Sequence, residues 1–84
     1  MYTVYILLCG DNSLYTGIAK NVEKRFQEHK SGKGSKYTRA KKAVKIVYTK
    51  RCKNKGYALK HEAEIKRLSR KEKDILINQK EKRI

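Results

Sequence analysis

The stretch Tyr2 to Leu8, YTVYILL, constrains this chain more than any other part of it. Its residues are β-branched, aromatic or aliphatic at odd and even positions alike, so a strand built from them must be covered on both faces. Elsewhere the chain is heavily charged: 23 Lys and Arg against 8 Asp and Glu give a formal net charge of +15 in 84 residues. One two-sided apolar strand in so cationic a sequence predicts a central strand with polar elements laid over it. The length allows a single domain, residues 1–84, and a chain this short buries only about 60% of its unfolded surface. Its core is therefore thin, and folds that enclose a large cofactor are excluded. The apolar run Val4 to Cys9 falls far below the ~20 residues that span a bilayer, and MYTVYILLCGD has no basic leader, so neither a membrane anchor nor secretion is predicted. Cys9 and Cys52 form no CxxC pair and read as small apolar side chains of a reduced, cytoplasmic protein.

Turn and cap signals divide the rest. Cys9-Gly10-Asp11-Asn12-Ser13 is turn chemistry, and LYTGI at 14–18 resumes a strand pattern, which predicts a hairpin. Asn21 can cap a helix from Val22 to about Lys30, with Glu23 in the first turn. SGKGSKYTRAKK reads as a loop over 31–43, VKIVYTK at 44–50 as a third strand and Tyr57 to Leu68 as a second helix. SRKE at 69–72 matches a capping box for a third helix, whose end, 78–84, is expected to fray. The order β-β-α-β-α-α predicts an α+β domain, a small three-stranded antiparallel sheet flanked by helices.

The charge is unevenly spread, since no Lys or Arg precedes Lys20. A nearly neutral, tyrosine-bearing start inside a cationic frame fits a polyanion partner, nucleic acid before an anionic membrane. In the loop, Lys33, Lys36, Arg39, Lys41 and Lys42 surround Tyr37, a composition suited to phosphates and to base stacking. Arg25 and His29 are one helical turn apart; together they could orient a phosphate, whereas His29 taken alone reads as a surface or satisfied boundary histidine. On the second helix Ala58, Leu59 and Ile65 define a buried stripe, and Glu62 falls inside it. A carboxylate there needs a cation facing it, either a metal ion, Arg25 or another basic group at the core rim. Tyr5 and Tyr15 sit on the two arms of the hairpin. A three-residue loop puts them on one face and a two-residue loop does not. Gly17 would then leave an open floor beside the phenol.

Thr3-Val4-Tyr5, Tyr15-Thr16-Gly17, Arg25, His29 and Glu62, in this order, resemble the GIY-YIG nuclease domain superfamily. TVY and YTG depart from the name-giving triplets but retain both tyrosines and the final glycine. The strings YTVYIL, SLYTG, KYT and EAEIKRLSR are similar in particular to the short stand-alone bacterial members, the UPF0213 type. The resemblance implies hydrolysis of a DNA phosphodiester with one Mg²⁺ or Mn²⁺, held by Glu62. It further implies Tyr5 as general base, its proton drawn off by nearby positive charge, and Arg25 as the group that stabilises charge at phosphorus. Tyr15 and His29 would position the water or the base. Nucleic acid contacts are expected from Gly17, Lys33, Lys36, Tyr37, Arg39, Lys41, Lys42 and Lys66. Some family members add a histidine in the loop after the first helix; here Tyr37 and Thr38 are the candidates to replace it.

Many such nucleases attach a separate domain for sequence choice, and 84 residues leave no room for one. The expectation is therefore structure-selective, partner-directed or weak unspecific cleavage, with a protein partner as one source of specificity, in a setting such as DNA repair or recombination. The alternative is a catalytically silent module that binds DNA or structured RNA.

Overall fold

The computed structural model describes residues 1–32 and 41–81, apart from the side chains of 80 and 81. Strands β1 (Tyr2–Cys9), β2 (Leu14–Ala19) and β3 (Ala43–Cys52) alternate with helices α1 (Val22–Lys30), α2 (Lys55–Lys66) and α3 (Arg70–Glu81) in the order β-β-α-β-α-α. The sheet is antiparallel with strand order β2-β1-β3. The two-sided apolar strand thus lies in the middle, as its pattern requires. Val4 and Ile6 pack with Tyr48, Cys52, Ala58, Ile65 and Ile77 on one face. Tyr5 and Leu7 pack with Ala19 and Ala43, and with half-buried Tyr15, Val22 and Phe26, on the other. Both cysteines are buried free thiols, and among the described residues neither joins a metal cluster.

The hairpin takes the three-residue loop. Cys9 N–H donates to Ser13 O and Asn12 N–H to Cys9 O, both at 2.9 Å. Asn12 adopts φ +70°, in the left-handed region that asparagine tolerates. Pairing then runs Leu7 with Tyr15 and Tyr5 with Gly17, which brings Tyr5, Tyr15 and Gly17 to one face. The turn is pinned from outside: Lys41 Nζ lies 3.0 Å from the Asp11 carboxylate, and the Arg70 guanidinium donates to Asn12 O. Hydrogen bonds from Ser13, then Lys41, hold the Asp11 carboxyl down to about 2.

Between β1 and β3 the register shifts twice, between Ile6 and Leu7 and between Leu8 and Cys9. Each shift inserts one residue in β3, Val47 and then Val44, and re-aims the side chains beyond it. Tyr48 consequently faces the Val4 side while Ile46 and Ala43 face the Tyr5 side. β3 also extends past the predicted 44–50 at both ends.

The Asn21 side chain accepts from Lys24 N–H at 3.1 Å and starts α1 as predicted. The second helix begins two residues earlier than the sequence indicates, because Asn54 accepts from Tyr57 N–H at 3.0 Å. Leu59 is not in its buried stripe but 46% exposed. At 100° per residue Leu59 lies about 120° from Ile65, and the flank opposite is taken by His61, which hydrogen-bonds Tyr48 and turns the helix that way. Ser69 and Glu72 exchange both bonds of the capping box, at 2.9 and 3.2 Å. Its helix runs to Glu81, and its Gln, Lys and Glu are good helix formers; of the 78–84 expected to fray, residues 82–84 lie outside the described residues. No helix among the described residues is long and apolar enough to cross a membrane.

Candidate functional site

The hairpin register and α1 build the centre of the site together. Tyr5 projects from β1 across its partner Gly17, and a Cβ added at Gly17 would lie 2.6 Å from the phenol oxygen and 2.8 Å from Cζ. The floor expected to be open is occupied by the Tyr5 ring itself. From α1, which packs on this face, His29 turns inward and is 2% exposed. Its Nε2 lies 3.0 Å from Tyr5 Oη. Tyr15 completes the group, with ring centroids 5.2 Å from His29, edge-on, and 6.4 Å from Tyr5.

Burial dominates the chemistry of this trio. It pushes the Tyr5 phenol well above its ordinary 10.0, with Tyr15 adding in the same direction, Arg25 opposing, and Glu62 and Glu28 reinforcing. The expectation that positive charge draws off the Tyr5 proton is thus reversed in the protein alone, because loss of hydration outweighs one guanidinium. Burial and then Arg25 hold His29 below its ordinary 6.5, so its ring is neutral at pH 7. A neutral imidazole offers Tyr5 an acceptor in one tautomer and a donor in the other.

Arg25 and Glu62 stand at the margin. Arg25 is half-exposed, its Nε 3.6 Å from Glu28 Oε1, one helical turn before His29. It also lines a cleft of about 520 Å³ with Tyr2, Lys20, Lys24 and Lys55. These cations were absent from the expected contacts; Lys20 and Lys24, one turn apart around the Asn21 cap, are the signal that could have disclosed them. Glu62 comes from α2, whose Ala58 and Ile65 cover the opposite face of the sheet. Its side chain is 18% exposed and lies 3.4 Å from Lys66 Nζ, on a side chain that is 57% exposed. The Glu62 charge acts on the Tyr5 phenol in the same direction as burial. Tyr5, Tyr15 and His29 therefore meet directly, whereas Arg25 pairs with Glu28 on the exposed side of α1 and Glu62 with Lys66 on α2.

The contacts expected from the basic loop divide differently. Lys33, Lys36, Tyr37, Thr38 and Arg39 lie outside the described residues. Lys41 is paired with Asp11, Lys42 is exposed at φ +59°, and Lys66 is paired with Glu62.

Among the described residues no three His, Cys, Asp or Glu side chains cluster as a metal cage. A lone, part-buried carboxylate suits Mg²⁺ nonetheless, since that ion keeps several waters and takes one or two carboxylates with substrate phosphates. Glu62 fits such a donor set.

Comparison with known proteins points one way. The family described as the GIY-YIG catalytic domain matches residues 1–75. A UPF0213 protein of Syntrophus aciditrophicus is 50% identical over 82 residues, 96% of this chain and 94% of the relative. One from Natronomonas pharaonis is 49% identical over 74 residues, 88% and 87% of the two chains. The solution NMR structure of a UPF0213 protein from Bacillus halodurans superposes with a TM-score of 0.62 at 43% identity, covering 95% of this chain and 86% of that one.

Proposed function

This chain belongs to the GIY-YIG domain family, and from that premise we propose that it is a divalent-metal-dependent endonuclease that hydrolyses DNA phosphodiester bonds. The observation that carries the reading is the Tyr5–His29 hydrogen bond, buried and 3.0 Å long, beside Tyr15. A phenol that burial keeps protonated is a poor base by itself, but here it has a neutral acceptor attached. As Tyr5 Oη takes the proton of the attacking water, its own proton passes to His29 Nε2, and no free phenolate forms. Tyr15 packs edge-on against His29 and holds that ring in register. Arg25, exposed at the rim, meets the charge that develops on phosphorus. Glu62 would hold Mg²⁺ or Mn²⁺, which when bound polarises the scissile phosphate and stabilises the leaving oxygen.

Lys20, Lys24 and Lys55, in the cleft beside Arg25, supply backbone contacts. Contacts of that kind carry no sequence information, which favours a substrate chosen by shape or by a protein partner. The test is incubation of supercoiled, branched and flapped DNA with Mg²⁺ or Mn²⁺. Wild type should nick, Glu62→Ala and Tyr5→Phe should cut about 100-fold more slowly or less, and EDTA should stop the reaction. Variants that cut as fast as wild type would refute the assignment. Binding without any metal-dependent cutting would instead favour the silent nucleic-acid-binding module.

A further inference from the structure

The face of the sheet turned away from Tyr5 carries a second Tyr–His pair, which the proposed hydrolysis does not use. Tyr48 Oη lies 3.0 Å from His61 Nε2, with ring centroids 6.3 Å apart. His61 stands in the wall of a cleft of about 360 Å³ between the end of β3 and α2, lined also by Lys50, Arg51, Lys53, Tyr57 and Lys60. That volume lies within the range of sites that hold a small ligand. Tyr57, Lys60 and His61 are spaced i, i+3, i+4, so α2 presents them to the cleft as one stripe. A single acid, Glu64, shares this wall, which leaves the lining strongly cationic.

Tyr57 is the unusual member. It is 60% exposed, and among the described residues the other large hydrophobic residues left in solvent are aliphatic or Met. Tyr57 N–H already serves the Asn54 cap, so the backbone beneath the ring is fixed while the side chain stands in the wall of the cleft. An exposed ring among cations matches how proteins hold single strands: bases stack on the aromatic face while the cations follow the backbone. Duplex DNA hides its base faces within the stack and offers such a ring only an edge.

We propose that this cleft is a second nucleic-acid site, which binds a single strand by stacking a base on Tyr57 while Lys50, Arg51, Lys53 and Lys60 contact the flanking phosphates. It rests on the proposed function only in taking nucleic acid as the partner. The cleft lies on the face of the sheet turned away from Tyr5, and its lining shares no residue with that of the cleft beside Arg25.

The chain contains two histidines, His29 and His61, so their ring Cε1–H signals in an NMR spectrum report the two sites separately. A short oligothymidylate is titrated at fixed pH in EDTA, where metal-dependent cutting does not intervene. The His61 signal should move and saturate, and Tyr57→Ala should weaken that response about tenfold without altering whatever His29 shows. An abasic strand of equal length should bind wild type as weakly as thymidylate binds the variant. Lys60→Ala, also at an exposed position, should lower the salt dependence by about one counterion. The proposal is overturned if Tyr57→Ala binds like wild type, or if blunt duplex, the abasic strand or polyglutamate moves His61 at the same concentrations as thymidylate. Since the readout is metal-free binding, a protein that never cuts DNA can still satisfy it. An active nuclease can equally fail it.

Discussion

At the scale of single residues, the close approach of Tyr5 to Gly17 organises the site. Alanine at 17 would put a methyl 2.6 Å from a buried phenol oxygen and 2.8 Å from its ring carbon, and neither can retreat while His29 holds the hydroxyl. Gly17→Ala should therefore cost about 1–3 kcal/mol in urea unfolding. It should also couple to Tyr5→Leu, the double variant losing less than the sum of the singles by at least about 0.5 kcal/mol. The histidines impose a pH dependence. Burial holds both His29 and His61 below 6.5, so in the window beneath that value the unfolded chain binds more protons than the native one. Stability should be full above about pH 6.5 and fall as the pH drops toward the native values. Asp11 and Glu72, both lowered in the fold, act in the same direction only below their ordinary 3.8 and 4.5. A thermal midpoint lower at pH 5 than at pH 7.5 would therefore report the histidines. A flat profile over that range would contradict their burial as neutral rings. Both tyrosines and His29 were legible as candidates in the sequence. That the Tyr5 ring itself fills the space over Gly17 was not, because contact across paired strands depends on a register that the turn residues leave open.

At the scale of elements, legibility followed the strength of local signals. YTVYILL announced a central strand, and Asn21 and the Ser69–Glu72 box announced helix starts, because each is a short-range pattern that needs no distant partner. The start of α2 was missed. Its first turn holds Lys55 and Gly56 and no acid, so only Asn54 marks it. Asn54→Ala should cost about 1 kcal/mol in thermal or urea unfolding, comparable with Ser69→Ala at the next helix. If Asn54→Ala were neutral, the cap would contribute little to this helix. Leu59 was misplaced for a related reason: the angular arithmetic gives spacing around a helix but not which side meets the sheet. The Tyr48–His61 bond decides that, and it joins residues 13 positions apart. The two bulges in β3 were equally hidden, since their effect is to undo the alternation from which strand faces are read.

At the scale of the molecule, a sheet covered on both faces separates the Tyr5–Tyr15–His29 group from a second cationic surface. The net charge of +15 predicts DNA binding that weakens steeply with salt. Lys24→Ala, in the cleft beside Arg25, should lower the salt slope by about one and weaken binding alike across sequences, as measured by fluorescence anisotropy at several ionic strengths. A change in sequence preference would contradict its role as a backbone contact. The composition made the polyanion partner plain, whereas the division of the cations between two clefts emerges only once β3 and α2 are packed together. The missing side chain at position 17 also bears on how such a chain can change over generations. A methyl there and a phenol at position 5 compete for one space, so their codons do not drift independently: a lineage that acquires alanine at the one loses stability until the tyrosine at the other shifts or is replaced.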